Sequence, residues 1–228
     1  MKKLYLIPII HTSADMGSLA PTLDKKASVE LQPELWQKHK GIVVGFWDSI
    51  SRFVDSLNVN GYRVYQDGLV TDGMEGLRII REGISQGSRN YDIVGKLLER
   101  GAVLVKTEDL SLVKQEYSHI TKMTGSKSLK ERGAAALRYK LAKGKLLKQR
   151  DDFIAKRIAE SLGEGETGIL FIGAYHSITP NLPADIKVVR VKEVDKVREY
   201  YTALISKGRW DQYLQELSEY LVSPVSAT

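Results

Sequence analysis

Four short, unbroken apolar runs constrain this chain more than any other feature: Lys3–Ile10 (KLYLIPII), Tyr62–Gln66 (YRVYQ), Ala102–Lys106 (AVLVK) and Gly168–Gly173 (GILFIG). Period alone does not separate such runs from buried helix, so β-branched content and flanking Gly decide for strand. A strand without a polar face needs a sheet covered on both sides. A fifth run, Ile186–Val191 (IKVVRV), is half polar and reads as an edge strand.

Helical patterns fill the intervals. Pro33–Leu57 repeats apolar residues at Val43, Phe46, Trp47, Ile50, Phe53, Val54 and Leu57, the spacing of a helix with one buried face. Trp36, Phe46, Trp47 and Phe53 read as core rather than as a dimer face. Gly73–Gln86 and Tyr91–Arg100 form two helices around a Ser-Gln-Gly-Ser turn. Asp109 to Met123 and Ser128–Leu162 follow, the second expected to break near Gly133 or Gly144. Glu193–Ser206 and Trp210–Val222 close the chain, ahead of a polar tail. Strands alternating with helices define an α/β fold with a mainly parallel, four- to five-stranded sheet flanked by helices. No linker divides the chain, so residues 1–228 read as a single domain. Residues 110–150 contain no strand and read as a helical, basic insertion or cap.

Composition then narrows the chemistry. Among 228 residues there is no Cys. That excludes disulfides, thiolate nucleophiles and Cys-ligated metals, and leaves His and carboxylates as the possible ligands. Met1 to Ile10 resembles the start of a signal peptide, but the run stops at His11 and Asp15 without an Ala-x-Ala site. It is much shorter than the roughly 20 apolar residues of a spanning helix. A soluble protein placed in the cytoplasm is the expectation.

In open parallel sheets, ligands bind outside the carboxyl ends of the strands. The residues there are His11-Thr12-Ser13, Asp67-Gly68, Thr107-Glu108-Asp109 and Gly173-Ala174-Tyr175-His176-Ser177. Two of only four histidines thus follow strands, with carboxylates between them. His supplies a neutral nitrogen ligand or a base near pH 7. Two His and a carboxylate with an open position suit a divalent metal that activates water. His11, His176 and Asp67 are the candidate ligands, with Asp67 alternatively a base. Glu108 could complete the shell or orient an imidazole. Thr12, Ser13 and Ser177 could hold neighbouring geometry, and Gly173 allows close backbone approach. Simpler readings stand beside these. A His after a strand is often a loop residue, Asp67-Gly68 is a common turn pair, and Glu108-Asp109 can serve the next helix as its cap. His39, in a polar Gln-Lys-His-Lys stretch, reads as solvated, and His119 as mid-helix. No Gly-x-Gly-x-x-Gly, P-loop or Gly-x-Ser-x-Gly is present, which argues against a nucleotide cofactor and a nucleophile elbow.

Two segments resemble a known group. Arg150-Asp151-Asp152-Phe153-Ile154-Ala155-Lys156-Arg157-Ile158 reads as an Arg-Asp helix start. It leads to the strand Gly168–Gly173 and the Gly-x-x-His at Gly173 to His176. The pattern resembles the TraB/PrgY and TIKI proteins, grouped with erythromycin-esterase-like and ChaN-like proteins, and covers about a fifth of the chain. The resemblance implies an α/β fold with His motifs after the first and a later strand. Here Pro8-Ile9-Ile10-His11 lacks the leading Gly of the first motif, and Asp67 stands where the group carries Glu. TIKI-type members are regarded as metal-dependent proteases, ChaN-like ones bind haem, and TraB/PrgY ones act in pheromone signalling.

Charge is local. The formal net charge is +6, but Lys122–Arg150 holds ten Lys and Arg against Glu131 alone, a net +9, which leaves −3 for the rest. Such a run is usually a solvated helix face. It can also attract nucleic acid, anionic lipid or an acidic partner, or favour an anionic substrate beside the strand ends. Tyr139 is its only aromatic residue, which is poor for base stacking. The expectation is a metal-dependent hydrolase acting on a peptide or anionic small molecule, with Arg150 orienting substrate. The alternative is a non-catalytic binding or regulatory module for a polyanion, a small ligand or haem.

Overall fold

The computed structural model describes residues 1–11, 33–125, 128–207 and 210–226. Thr12, Ser13 and Asp15 lie outside them. The strands are β1 (Lys2–Ile9), β2 (Arg63–Gln66), β3 (Val103–Val105), β4 (Thr167–Gly173) and β5 (Ile186–Arg190). They form one parallel sheet in the order β3-β2-β4-β1-β5. The half-polar β5 is an edge, paired with β1 alone. The described helices are α1 (Pro33–Asp55), α2 (Gly73–Ser85), α3 (Arg89–Glu99), α4 (Leu110–Gly125), α5 (Leu129–Ser161), α6 (Val194–Lys207) and α7 (Gln212–Val222).

Side chains alternate across the pleat, so each inner strand feeds two cores. Tyr5, Ile7 and Ile9 of β1 and Ile169 and Phe171 of β4 pack under α1, α3, α6 and α7. Leu4, Leu6, Leu170 and Ile172 point the other way, onto Ile154, Ile158 and Leu162 at the end of α5. This double coverage is why these runs are continuously apolar. Phe46, Trp47 and Phe53 are core residues, and Trp36 packs partly buried against them.

Two expectations need correction. His39 is buried, because it shares the inward ridge of α1 with Leu35 and Val43. It is not solvated: its Nδ1 lies 2.9 Å from the Tyr200 hydroxyl and its ring stacks on Tyr200. Helix α5 is also unbroken across Gly133 and Gly144 for 33 residues. Two glycines cost a helix only about 1 kcal/mol each, and the Ser128 cap and the packing of the end of α5 under the sheet outweigh that. Arg150-Asp151 is therefore in mid-helix, not at a helix start.

Candidate metal centre

All five strands run parallel, so their carboxyl ends share one edge. Along it stand, in sheet order, Glu108 after β3, Asp67 after β2, His176 after β4 and His11 after β1. Sequence neighbours thus become spatial neighbours in a different order from the chain.

Asp67 continues the sheet for one residue, its N–H donating to Phe171 O at 2.9 Å, and then turns at Gly68, whose φ is +79°. The turn reading of Asp67-Gly68 therefore holds, and the same turn brings the Asp67 carboxylate to this edge. Asp67 Oδ2 accepts from Gly173 N–H at 2.9 Å, and Oδ1 accepts from Arg150 Nη2 at 2.7 Å. A Cβ on Gly173 would lie 3.0 Å from Asp67 Oδ2, 3.5 Å from His176 Cδ2 and 3.8 Å from His11 Nε2. Glycine there lets the carboxylate reach the backbone N–H.

Glu108 is fully buried, its backbone N–H anchored on Leu69 O. Its Oε1 accepts from Arg150 Nε at 3.1 Å and Nη2 at 2.5 Å. Its Oε2 has no hydrogen-bond partner among the described residues. The helix cap falls to the next residue instead: Asp109 Oδ1 accepts from the Ser111 and Leu112 N–H groups at the start of α4.

Arg150 and Asp151 project from adjacent positions of α5 toward this edge. Arg150 binds Asp67, Glu108 and Glu116 of α4, and Tyr139 donates to the same Glu116 at 3.0 Å. Asp151 Oδ1 lies 2.6 Å from His176 Nδ1, while Oδ2 accepts from Ser177 N–H at 3.0 Å. His176 Nε2 then faces Asp67 Oδ2 at 3.5 Å.

The electrostatics follow from four carboxylates meeting one guanidinium and the imidazoles of His176 and His11. Burial raises the pKa of Asp67, but His176, Arg150, His11 and the Gly173 N–H outweigh it and hold the carboxyl at about 2. Burial and the neighbouring Asp67 push Glu108 up to about 7, against the pull of Arg150. Burial disfavours charged His176, yet Asp67 and Asp151 bring its pKa above the ordinary value.

Asp67, Glu108 and His176 offer ligand atoms that all lie within 4.8 Å of one another, and this group could hold a metal ion. The donor set, one nitrogen and two carboxylate oxygens, suits a divalent transition metal. The buried Glu108 Oε2, without a partner among the described residues, and the excess of negative charge fit a cation as well. Arg150 answers part of that charge. The structure thus joins Asp67, Glu108, His176 and Arg150, with Gly173 and Ser177 contributing backbone N–H groups. His11 is exposed just past the neighbouring strand β1 and is not one of the three grouped ligands.

Asp151 and Glu116 were not among the sequence candidates. Asp151 lay inside the Arg-Asp segment that carries the family resemblance, and that segment was its only signal. Glu116 had none, because a glutamate in a polar helix looks like any other. A cavity of about 450 Å³ lies elsewhere, between α1 and α7, lined by Lys38, Ile42 and Trp210 among others, and shares no residue with the site. No family model, curated protein or solved structure matches the chain.

Proposed function

We propose that this chain is a metal-dependent hydrolase of the TraB/PrgY and TIKI-like kind, acting on a peptide or anionic substrate at the carboxyl edge of its sheet. The observation that carries the reading is His176: Asp151 holds Nδ1, and Nε2 is turned toward Asp67 beside a buried Glu108 with a free oxygen. Metal-binding histidines are commonly oriented by a carboxylate on the other ring nitrogen in this way.

Asp67, Glu108 and His176 are the proposed ligands. A divalent ion held by these residues would supply Lewis acidity for activating water and polarising a substrate carbonyl. Asp151 fixes the tautomer that leaves the Nε2 lone pair free. Arg150 positions both ligand carboxylates and offers positive charge to an anionic group of the substrate. The basic surface of α5 would raise the local concentration of an anionic substrate.

A second reading, a non-catalytic binding module, draws on Arg150 itself, since the acidic cluster already contains a cation. Metal analysis separates the two. Protein dialysed against Zn²⁺ or Mn²⁺ should retain about one ion per chain, and His176→Ala with Asp67→Asn should retain none. Equal, negligible retention by both proteins would reject the metal reading.

A further inference from the structure

Between Lys130 and Lys145, one face of α5 is used by neither core nor site. Leu137 is 58% exposed and Leu141 is 77% exposed, one turn apart on the same ridge. At 100° per residue, Lys130, Arg138, Lys140 and Lys145 fall with them inside an arc of about 160°. All four are exposed and form no ion pair among the described residues. Between Lys130 and Lys145, Glu131 alone supplies negative charge, at the border of the arc; Asp152, farther along the helix, is paired with Lys148. Gly133, Ala134 and Gly144 are the small residues between, all exposed, so the two leucines stand out as the apolar relief of a cationic surface.

We propose that this face of α5 docks on an anionic lipid surface, the leucines entering the headgroup boundary and the cations meeting the lipid phosphates and carboxylates. No helix among the described residues is long and apolar enough to cross a membrane, so this contact is peripheral. Three alternatives fit less well. A second copy would bring two cationic faces together. A nucleic acid would use the charge but leave both leucines in water, and Tyr139 is unavailable for stacking because it faces His119 and Glu116. An acidic protein would need apolar sockets matched to two leucines, whereas a bilayer accepts them anywhere.

Each basic residue brought to an anionic bilayer strengthens binding about fivefold. Each leucine that reaches the hydrocarbon boundary adds on the order of tenfold. The test is co-sedimentation of the full chain with phosphatidylcholine vesicles containing 30% phosphatidylserine, and with neutral vesicles, at about 0.1 M salt, where the Debye length is about 10 Å. The expected result is capture by the anionic vesicles only. Leu137→Ser with Leu141→Ser should weaken capture at least tenfold, and Arg138→Glu with Lys145→Glu should abolish it. Unchanged melting temperatures would show that these exposed substitutions leave the fold intact. Failure of the wild type to bind anionic vesicles would overturn the proposal. So would a leucine variant that binds them as well as wild type, since the contact would then be with any polyanion.

Discussion

Asp151 Oδ1 and His176 Nδ1 are 2.6 Å apart, although 25 residues separate them in the chain. The bond ties the middle of the longest helix to the turn after β4. Because Asp151 Oδ2 also accepts from Ser177 N–H, the carboxylate grips both the ring and the turn that carries it. The imidazole is fixed in plane and tautomer, with Nε2 aimed at Asp67.

Asp151→Asn keeps the shape but replaces an acceptor oxygen by an amide that can present N–H to Nδ1. The wrong tautomer then places a proton on Nε2. Loss of such an outer carboxylate typically costs 10–100-fold in metal affinity. Competition titration with a chromophoric Zn²⁺ chelator should show a loss of about that size, with little change in melting temperature.

Arg150→Met removes the guanidinium shared by Asp67, Glu108 and Glu116. Breaking one side of a buried ion pair typically costs about 3–5 kcal/mol. Urea unfolding should show a loss of that order. Added divalent cation should recover more stability in this variant than it adds to wild type, because it would answer the same carboxylates.

Gly173→Ala places a methyl group 3.0 Å from Asp67 Oδ2. The carboxylate must withdraw from the Gly173 N–H, at a cost of about 1–3 kcal/mol, as for other overpacked sites. Reduced metal retention together with a lower unfolding midpoint is the expected outcome.

Burial lowers the pKa of His39 from 6.5 to about 4. Its ring is enclosed by Trp36 of α1 and by Tyr200 and Tyr201 of α6, with the Tyr200 hydroxyl in hydrogen-bond reach. Between those two values the unfolded chain binds a proton that the folded chain does not. The contribution of His39 to stability is therefore full above pH 6.5 and is lost as pH falls toward 4, by at most about 3 kcal/mol. Unfolding free energies of wild type and His39→Gln, measured across this range, should diverge in slope, the variant being flatter.

The glycines expected to break α5 give a prediction of opposite sign. A Cβ at Gly133 or Gly144 would meet nothing within 4 Å. Each change to Ala should stabilise the protein by about 0.5–1 kcal/mol, seen as a higher melting temperature.

Much of the fold was legible because burial on both faces writes itself into local composition. β1 and β4 are apolar at nearly every position since each face of the sheet has its own core. The half-polar β5 betrayed its edge position in the same way. His39 was misread because polar neighbours hid its inward ridge, and a ridge shows only over several turns.

The sequence by itself determined the strands, an α/β architecture with a mainly parallel sheet, and the loops that hold Asp67, Glu108 and His176, since hydrophobic patterning and strand-end position are local properties. Tertiary structure alone decided which charges meet. Arg150 answers three carboxylates from β2, β3 and α4, and Asp151 takes the ring of His176. These pairings depend on strand order and on the rotation of one long helix over the sheet edge. Both are fixed by packing between segments far apart in the chain, which no local run of residues encodes.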